Sequence, residues 1–350
     1  MTTQRLRVVL ATPLSEELCT LVEEREPRLE LVRDQHLLPP QRHAGDHKGD
    51  PAFVLTAAQQ AEFDALVDSA DALYGVPHEN PAALARTVDA NPRLRWVHTT
   101  PAGGGAQVKD AHLAPDALER IIFTQSAGVH ADPLAEFALL GVLAGIKNLA
   151  RLSAAQTRGD WAPRWSSPSI SDLTIAVVGL GGIGRKTAEI FGLLGARVIG
   201  VHRRQVDVPG VAEVVPVENF ADVAASADAI IMTLPGTALT EKMLSRAIFA
   251  AVKPGITVVN VGRGTTIDEA ALVEALQDGR VGYAALDVFE VEPLPSESPL
   301  WSMPNVLISP HTSALHSSED RRIAELFALN ASLFLDGQPM INRVNTVEFY

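Results

Sequence analysis

The sequence predicts an α/β protein built from two doubly wound parallel sheets with helices on both faces. Short apolar runs rich in β-branched residues alternate with helical segments along most of the chain. This alternation is typical of parallel sheets that are buried on both faces. The 350 residues are also enough for two domains that each bury a core of their own.

Composition excludes several classes of protein. Hydrophobic residues make up 47% and charged residues 20%, as in a globular protein, and the net charge of −13 argues against nucleic acid or an anionic membrane as partner. The single cysteine, Cys19, excludes a disulfide framework and is expected to be a small core residue on the first helix. The first strand is followed by no long apolar run, and residues 137–146 are too few to span a bilayer. We therefore expect a cytoplasmic protein with no membrane segment.

The first part of the chain predicts a small sheet of its own. Strands are expected at 7–11, 29–32, 72–76, 94–98 and 121–124, with helices at 15–25, 57–68 and 81–90. Residues 36–51 are rich in Pro, Gly, His and charge, so they predict a solvated surface loop. Its histidines, His36, His43 and His47, show no repeated spacing with carboxylates, and we predict no metal site.

A glycine-rich loop follows the strand at 94–98, with the sequence TTPAGGG at residues 99–105. Loops at the carboxyl ends of parallel strands are where open α/β sheets bind ligands, and bare N–H groups there can hold a carboxylate. A flexible turn without a ligand is the alternative.

A long helix is expected after the strand at 121–124. Asp132 as N-cap and Pro133 at the first helical position predict its start, and the apolar pattern continues to about residue 157. Because this helix is apolar on most of its circumference, it must be covered by a domain junction or by a second subunit. We place the domain boundary just before it, at residue 128.

Residues 174–204 carry the strongest local signal. A buried strand at 175–178 leads into Gly179-x-Gly181-x-x-Gly184, then an amphipathic helix and a second strand at 197–201. In a βαβ unit these glycines allow a tight turn, a close approach of backbone to a pyrophosphate and close helix packing, while the helix N-terminus faces the phosphates. The segment predicts a dinucleotide site of the Rossmann type. An ordinary strand–turn–helix is the alternative.

The rest of the chain extends this second sheet and then leaves it. Further strands are expected at 214–217, 227–234, 256–261, 282–288 and 306–310. A final amphipathic helix at 317–335 is expected to return to the first domain. The predicted domains are therefore 1–127 with 315–350, and a Rossmann domain, 128–314, inserted between them.

Three of these late strands end in residues that can do chemistry. The strand at 256–261 is followed by Arg263, which stands between two glycines. The strand at 282–288 is followed by the acids Glu290 and Glu292 and contains Asp287 near its end, and the strand at 306–310 is followed by His311. The guanidinium fork of arginine is a natural bidentate partner for a carboxylate. Taken singly, Arg263 could form a surface ion pair and His311 could be an ordinary loop histidine. Their shared edge of the sheet, the ligand side, favours a site.

Together these motifs resemble the D-isomer-specific 2-hydroxyacid dehydrogenase family, in its glyoxylate/hydroxypyruvate reductase-like branch. The segments that carry the resemblance occur in the family's order: WVHTTPAG, GVHADPLAEFAL, GLGGIG, LPGTALTEKML, KPGITVVNVGRG, ALDVFEVEPLP and ISPHTSA. The resemblance implies two Rossmann-like domains, the cofactor domain inserted in the substrate domain, with the active site in the cleft between them. It also implies a homodimer built on the helix at Pro133, and reversible NAD(P)H-dependent reduction of a 2-oxo acid to the D-2-hydroxy acid.

The resemblance assigns roles to individual residues. His311 is the general acid/base, Arg263 binds the substrate carboxylate, and Glu292 is the partner of His311, chosen over Glu290 because it precedes the proline. A carboxylate beside the histidine favours its protonated form, which suits proton transfer to a growing alkoxide. The other carboxylate oxygen would be bound by backbone N–H groups in the glycine-rich loop, at Ala102, Gly103 and Gly104.

The expected cofactor residues are Gly179, Gly181, Gly182, Ile183, Gly184, His202, Arg203, Arg204, Leu234, Pro235, Val261, Gly262, Arg263, Asp287 and His311. By resemblance, Asp287 contacts the nicotinamide carboxamide, and Leu234 and Pro235 line the adenosine side. An NAD-preferring site has an acid at the end of the second strand, whereas this chain has His202, Arg203 and Arg204. An arginine pairs with a 2′-phosphate, so NADP(H) is preferred, with NAD(H) as the alternative if both arginines face solvent.

Two other functions stay open on sequence. A dinucleotide-sensing binding protein of the corepressor kind shares the fold and can keep the Arg, Glu and His. A dehydrogenase of a non-carbonyl anion such as phosphite is also open, whereas Glu292 stands where formate-oxidising relatives have glutamine. The identity of the 2-hydroxy acid and the physiological direction are not predicted.

Overall fold

The computed structural model describes residues 5–349 and divides into two compact units. The first contains the chain up to Val129 and again from Leu315, and the second runs without interruption from His130 to Ala314. The second unit is thus an insertion in the first, and its start lies two residues after the boundary expected at 128.

The first unit holds a five-stranded parallel sheet in the order β2-β1-β3-β4-β5. Its strands are β1 (Leu6–Leu10), β2 (Leu29–Val32), β3 (Ala72–Tyr74), β4 (Trp96–Thr99) and β5 (Ile122–Gln125). Its helices up to that point are α1 (Glu16–Arg25), α2 (Ala57–Val67), α3 (Pro81–Ala90), α4 (Gly105–Asp110) and α5 (Pro115–Arg120).

The second unit holds a seven-stranded parallel sheet in the order β12-β11-β10-β9-β6-β7-β8. Its helices are α6 (Ala131–Ile146), α7 (Leu149–Arg158), α8 (Gly182–Leu193), α9 (Phe220–Ser226), α10 (Arg246–Ala251) and α11 (Glu269–Gln277). Its strands are β6 (Thr174–Val178), β7 (Arg197–Val201), β8 (Val211–Val215), β9 (Ala229–Met232), β10 (Ile256–Asn260), β11 (Val281–Leu286) and β12 (Val306–Ile308).

The central strands are buried because helices cover both faces of each sheet. Residues 175–178 of β6 are fully buried, and so are all five residues of β10. Chain order reverses beside β6, whose neighbours are β7 and β9. In doubly wound sheets such a reversal opens a crevice at the carboxyl ends of the strands, where ligands bind. The predicted fold class is confirmed.

The last helix, α12 (Glu319–Leu335), belongs to the first unit and packs against α1. Phe327 stacks on the buried ring of Trp96 with ring centroids 4.6 Å apart. The predicted return of this helix to the first part of the chain is confirmed. Cys19 lies on α1 with its side chain fully buried, as expected.

The long helix expected from Pro133 to about residue 157 is wrong in two respects. It begins at Ala131, so His130 is the N-cap and Asp132 lies inside the first turn. It also ends at Ile146, and α7 starts after Asn148 with its axis turned by 65°. Asn148 has a φ of +56° and its side chain caps α7 by accepting from the Arg151 N–H. Asparagine tolerates this left-handed conformation, which ends one helix and starts the next.

Within residues 5–349, no single helix has both the length and the apolar character needed to cross a membrane. The bent pair α6 and α7 meets the length and composition criteria only when the two helices are taken together.

Two smaller expectations also differ from the structure. The strand expected at 214–217 is β8, Val211–Val215, because Pro216 has no N–H to continue the ladder. The loop at 36–51 is not fully solvated. Asp46 is buried and bound by Arg42, and the side chain of His47 is only 9% exposed, 3.7 Å from Glu319. Since Gly45 donates to the carboxylate of Asp320, the loop is folded against the start of α12.

His98 should make stability depend on pH. The ring is completely buried, with Nδ1 2.9 Å from Thr124 Oγ1 and Nε2 3.2 Å from Ser126 Oγ. Burial, with a smaller contribution from His47, lowers the pKa of His98 from 6.5 to about 3. Between about pH 3 and pH 6.5, the unfolded chain binds a proton on this histidine that the folded chain does not. The free energy of unfolding should therefore fall by up to about 1.4 kcal/mol per pH unit as pH drops below about 6.5.

Urea unfolding at about pH 7 and about pH 5.5 measures this dependence. In the variant His98→Gln, the free energy of unfolding should depend less steeply on pH, because the proton that His98 takes up on unfolding is missing. The other titrating groups contribute equally to both proteins. Equal slopes in the wild type and in His98→Gln would contradict the assignment.

Candidate active site

The glycine turn after β6 leaves an open surface at the start of α8. Gly181 is the N-cap of α8, no side chain caps it, and a Cβ built there would have nothing within 4 Å. A Cβ at Gly184 would instead lie 1.8 Å from the carbonyl oxygen of Gly179, so the helix can approach the turn only without a side chain. Exposed N–H groups at such a helix start suit the phosphates of a dinucleotide. The residues of this turn therefore fit the phosphates of a bound dinucleotide.

The turn is held from the neighbouring strand end. The hydroxyl of Thr233, just after β9, donates toward the carbonyl oxygens of Val178 at 3.1 Å and of Gly179 at 2.8 Å. The next two residues are the half-buried Leu234 and the exposed Pro235. Gly182 and Ile183 form the first turn of α8 on the other side.

The end of β7 places three basic residues beside the same turn. His202 Nδ1 accepts the N–H of Leu180 at 3.3 Å, and the side chains of Arg203 and Arg204 are exposed. Burial lowers the pKa of His202, with smaller contributions from the positive charges of Arg203, Arg185 and Arg204. A neutral imidazole can accept this hydrogen bond, whereas a protonated one cannot.

Arg263 sits on a tightly bound turn after β10. Asn260, the last residue of that strand, donates to the Arg263 carbonyl at 3.1 Å and accepts from the Gly262 N–H at 3.0 Å. The Thr266 hydroxyl donates to the same carbonyl at 2.6 Å. Val261 and Gly262 are buried, while the Arg263 side chain is exposed and donates through Nη1 to the Gly262 carbonyl. These hydrogen bonds therefore hold the backbone of Arg263, and with it the point from which its side chain extends.

His311 and Glu292 form a direct pair in the second unit. His311 Nδ1 lies 2.7 Å from Glu292 Oε2, and Glu292 Oε1 accepts the N–H of Phe289 at 3.0 Å. The Glu292 and His311 side chains are 35% and 46% exposed, so the pair is open to a ligand. Glu290 pairs instead with Lys242 at 3.2 Å. Since Nδ1 faces the carboxylate, Nε2 of His311 is left to meet a substrate.

Asp287 holds the turn on which His311 sits. Its carboxylate is 1% exposed, and Oδ1 accepts from Ser309 Oγ at 2.6 Å and from the N–H groups of Thr312 and Ser313 at 3.0 Å. The Asp287 carbonyl accepts the N–H of His311 at 2.9 Å. His311 itself has a φ of +54°, an uncommon conformation for a side-chain-bearing residue. The buried carboxylate thus stabilises a strained turn at the site.

One pocket of about 330 Å³ brings Arg263, Glu292 and His311 together. It is lined by Gly236, Arg263, Gly264, Thr265, Phe289, Glu290, Glu292 and His311. This volume suits a small ligand, and a guanidinium next to an imidazole–carboxylate pair can bind an anion and move a proton.

In the first unit, the glycine-rich loop follows β4 as expected. Its Gly104 N–H donates to the Pro101 carbonyl at 3.2 Å, so that donor is already engaged. The N–H groups of Ala102 and Gly103 have no hydrogen-bond partner among residues 5–349. Of the three N–H groups expected to bind a carboxylate, these two remain available.

Sequence reasoning missed three supporting residues: Thr233, Asn260 and Ser309. Each carries a polar side chain at or just after the end of an apolar strand. A buried polar side chain must find a partner, and at these positions the partners are the turns of the site. A single polar residue at the end of an apolar run was the sequence signal that could have identified them. In the described part of the chain no group of three or more His, Cys, Asp or Glu side chains could hold a metal ion.

Comparison with known proteins places the chain among dehydrogenases. Residues 139–313 match the family model for the D-isomer specific 2-hydroxyacid dehydrogenase, NAD binding domain. A glyoxylate reductase from Thermofilum pendens is 31% identical over 265 residues, which are 73% of this chain and 76% of that protein. The chain belongs to the D-isomer-specific 2-hydroxyacid dehydrogenase family. It is therefore an NAD(P)-dependent oxidoreductase, and its second unit contains the family's nicotinamide dinucleotide-binding domain.

Two further relatives show the extent of the likeness. The D-isomer specific 2-hydroxyacid dehydrogenase from Xanthobacter autotrophicus Py2, solved with NADPH and MES, superposes with a TM-score of 0.77 at 26% identity, over 99% of this chain and 100% of that one. A D-3-phosphoglycerate dehydrogenase from Mycobacterium leprae is 31% identical over 287 residues. That match covers 80% of this chain but only 52% of the mycobacterial enzyme.

Proposed function

We propose that this dehydrogenase reduces a small 2-oxo acid, such as glyoxylate or hydroxypyruvate, reversibly to the D-2-hydroxy acid with NADPH. The observation that carries the proposal is the pocket in which the His311–Glu292 pair and Arg263 lie together. Its modest volume favours a substrate of a few carbon atoms. The relative named glyoxylate reductase supports the same substrate class.

In the proposed reaction, Arg263 binds the substrate carboxylate and His311 supplies the proton. The bound reduced dinucleotide provides a hydride for the ketone carbon. As negative charge grows on the ketone oxygen, the proton on His311 Nε2 moves to that oxygen. The Glu292 carboxylate accepts the Nδ1–H, which orients the ring so that Nε2 is the nitrogen that gives up the proton. The reverse direction uses the same groups, with His311 as base.

We further propose that the available N–H groups of Ala102 and Gly103 in the first unit bind a carboxylate oxygen of the 2-oxo acid. Backbone donors in such a loop suit an anion.

For the cofactor, we propose NADP(H) in preference to NAD(H). The turn residues 179–184 bind the pyrophosphate, Leu234 and Pro235 line the adenosine side, and Arg203 and Arg204 pair with the 2′-phosphate. Because Asp287 Oδ1 already accepts three hydrogen bonds, a contact with the nicotinamide carboxamide falls to Oδ2. The relative solved with NADPH supports this preference.

Replacing Arg203 with aspartate tests the cofactor proposal. Arg203→Asp should raise KM for NADPH by about tenfold or more, since a favourable charge pair becomes a repulsive one, and leave KM for NADH nearly unchanged. Steady-state rates with each cofactor measure the difference. Arg197→Asp is the control, because Arg197 is also exposed but begins β7 at the opposite edge of the sheet. Equal changes in KM for NADPH and NADH would contradict the NADP(H) assignment.

We also propose that the protein is a homodimer through α6, α7 and the segment after α7. This surface exposes Leu140, Leu149, Leu152 and Trp161, and α7 and residues 159–165 line an apolar pocket of about 530 Å³. Apolar side chains clustered in this way mark interaction sites. Light scattering of the purified protein should give twice the mass of 37.4 kDa calculated for one chain.

The reaction itself is tested by the loss of reduced-nicotinamide absorbance with purified protein. A panel of glyoxylate, hydroxypyruvate and larger 2-oxo acids is compared with NADPH and with NADH. Faster turnover of the small acids with NADPH is the expected result. Tight NADPH binding without turnover of any compound would favour a dinucleotide sensor, and NADPH formation from NADP and phosphite would favour the non-carbonyl alternative.

A further inference from the structure

A buried carboxylate in the first unit, Glu79, is not used by the reaction described above. It lies five residues beyond the end of β3 and is only 8% exposed. Burying an ionised carboxylate is unfavourable unless strong hydrogen bonds replace its water shell. The residues that supply those bonds belong to the glycine-rich loop and to the helix that follows it.

The two oxygens of Glu79 reach both ends of this loop. Oε1 accepts the hydroxyl hydrogen of Thr100 at 3.0 Å, and Oε2 accepts the side-chain N–H of Gln107 at 2.6 Å. Thr100 precedes the free N–H groups of Ala102 and Gly103, and Gln107 on α4 follows them. One carboxylate therefore bridges the chain on either side of the proposed substrate donors.

The backbone that carries Glu79 is held in an uncommon conformation. His78 and Glu79 have φ values of +54° and +50°, two consecutive side-chain-bearing residues in the left-handed region. Each such residue is strained, and it persists only where its surroundings hold it. The hydrogen bonds from Thr100 and Gln107 are contacts of this kind, so the strained segment and the loop constrain each other.

We propose that Glu79 is a positioning residue for the substrate: it holds loop 99–105 so that the Ala102 and Gly103 N–H groups face the carboxylate of the 2-oxo acid. This inference rests on the proposed function. Loops rich in glycine are mobile unless fixed, and an unfixed loop would have to be ordered each time the substrate binds. Glu79 removes that requirement without touching the substrate.

Two substitutions separate the position of the loop from the charge of Glu79. Glu79→Ala removes both hydrogen bonds and should raise KM for the 2-oxo acid about tenfold, as expected for losing a charge-assisted contact, while kcat changes much less. Glu79→Gln should keep KM near the wild-type value. The new amide still accepts from Thr100, and Gln107 can rotate its amide, because its buried Oε1 has no partner among residues 5–349.

Glu26→Ala is the matched control. Glu26 is also a buried carboxylate of the first unit, 3% exposed, but it is bound by Arg28 at the amino edge of the sheet. Its loss should lower thermal stability without changing KM. The inference is overturned if Glu79→Ala leaves KM unchanged, if it behaves like Glu26→Ala, or if Glu79→Gln is as impaired as Glu79→Ala.

Hydrogen–deuterium exchange distinguishes a failure here from a failure of the proposed function. Peptides covering residues 99–110 should exchange faster in Glu79→Ala than in wild type or Glu79→Gln, and this readout needs no turnover. If the wild-type protein reduces no 2-oxo acid, the proposed function is refuted, and with it the role of the loop in binding substrate. If hydrogen–deuterium exchange is unchanged in Glu79→Ala, the proposal that Glu79 positions the loop is refuted. Turnover together with unchanged exchange and KM leaves the proposed function intact and removes Glu79 from it.

Discussion

Replacing His311 with glutamine is expected to lower kcat about a thousandfold, because general acid catalysis by a well-placed histidine contributes between about 10² and 10⁴. Glutamine can still hydrogen-bond Glu292, yet it carries no proton that it can give to the ketone oxygen. NADPH binding should weaken only slightly: His311 is among the expected cofactor residues, but the phosphate and adenosine contacts proposed for the cofactor lie on other strand ends. Steady-state turnover of glyoxylate and a separate NADPH titration measure the two effects.

The control for this variant is His36→Gln. His36 is exposed in the first unit, and its backbone N–H donates to the side chain of Asp34. It should keep full activity. A kcat for His311→Gln within a few-fold of wild type would show that another group supplies the proton. A parallel loss of NADPH binding would show that the turn after β12 had collapsed.

Replacing Arg263 with lysine should lower kcat/KM for the 2-oxo acid about a hundredfold, equivalent to about 2.7 kcal/mol of transition-state binding. Lysine keeps the positive charge but has a single ammonium group in place of the guanidinium fork, so it cannot hold a carboxylate by two parallel hydrogen bonds. The backbone of the turn should survive, because Asn260 and Thr266 bind only its main chain.

Initial rates over a range of substrate concentrations provide the measurement, and Arg280→Lys provides the control. Arg280 pairs with Asp278 just before β11, at the amino edge of the same sheet. Its substitution should leave kcat/KM unchanged. If Arg263→Lys also keeps kcat/KM, the substrate carboxylate is bound elsewhere.

Local sequence patterns were enough to predict the fold class. Each buried strand is a short apolar run, and the glycine spacing after β6 follows from steric needs that only glycine meets. Parallel strands share one ligand-binding edge. For that reason alone, Arg263, Glu292 and His311 could be predicted to lie at the same edge before any distance was known.

Where local signals competed, sequence could not decide between them. The apolar pattern continues across residues 147–148, although Asn148 turns the chain there and divides the predicted helix in two. The composition of 36–51 predicts solvent, but His47 is covered because the loop folds onto α12, far away in the chain. Burial of that kind depends on contacts between distant segments, which carry no local pattern.

By itself, the sequence determined that this protein has two parallel sheets and a glycine turn of the Rossmann type, because each of these follows from spacing within a few residues. Only the tertiary structure decided the 2.7 Å distance between His311 and Glu292, how Asn260 and Asp287 hold their turns, and that Glu79 bridges the glycine-rich loop. Apart from the local contact of Asn260, these contacts join residues that are 19 to 28 positions apart, on different strand ends and turns. Their geometry exists only once the strands are paired and the intervening helices packed.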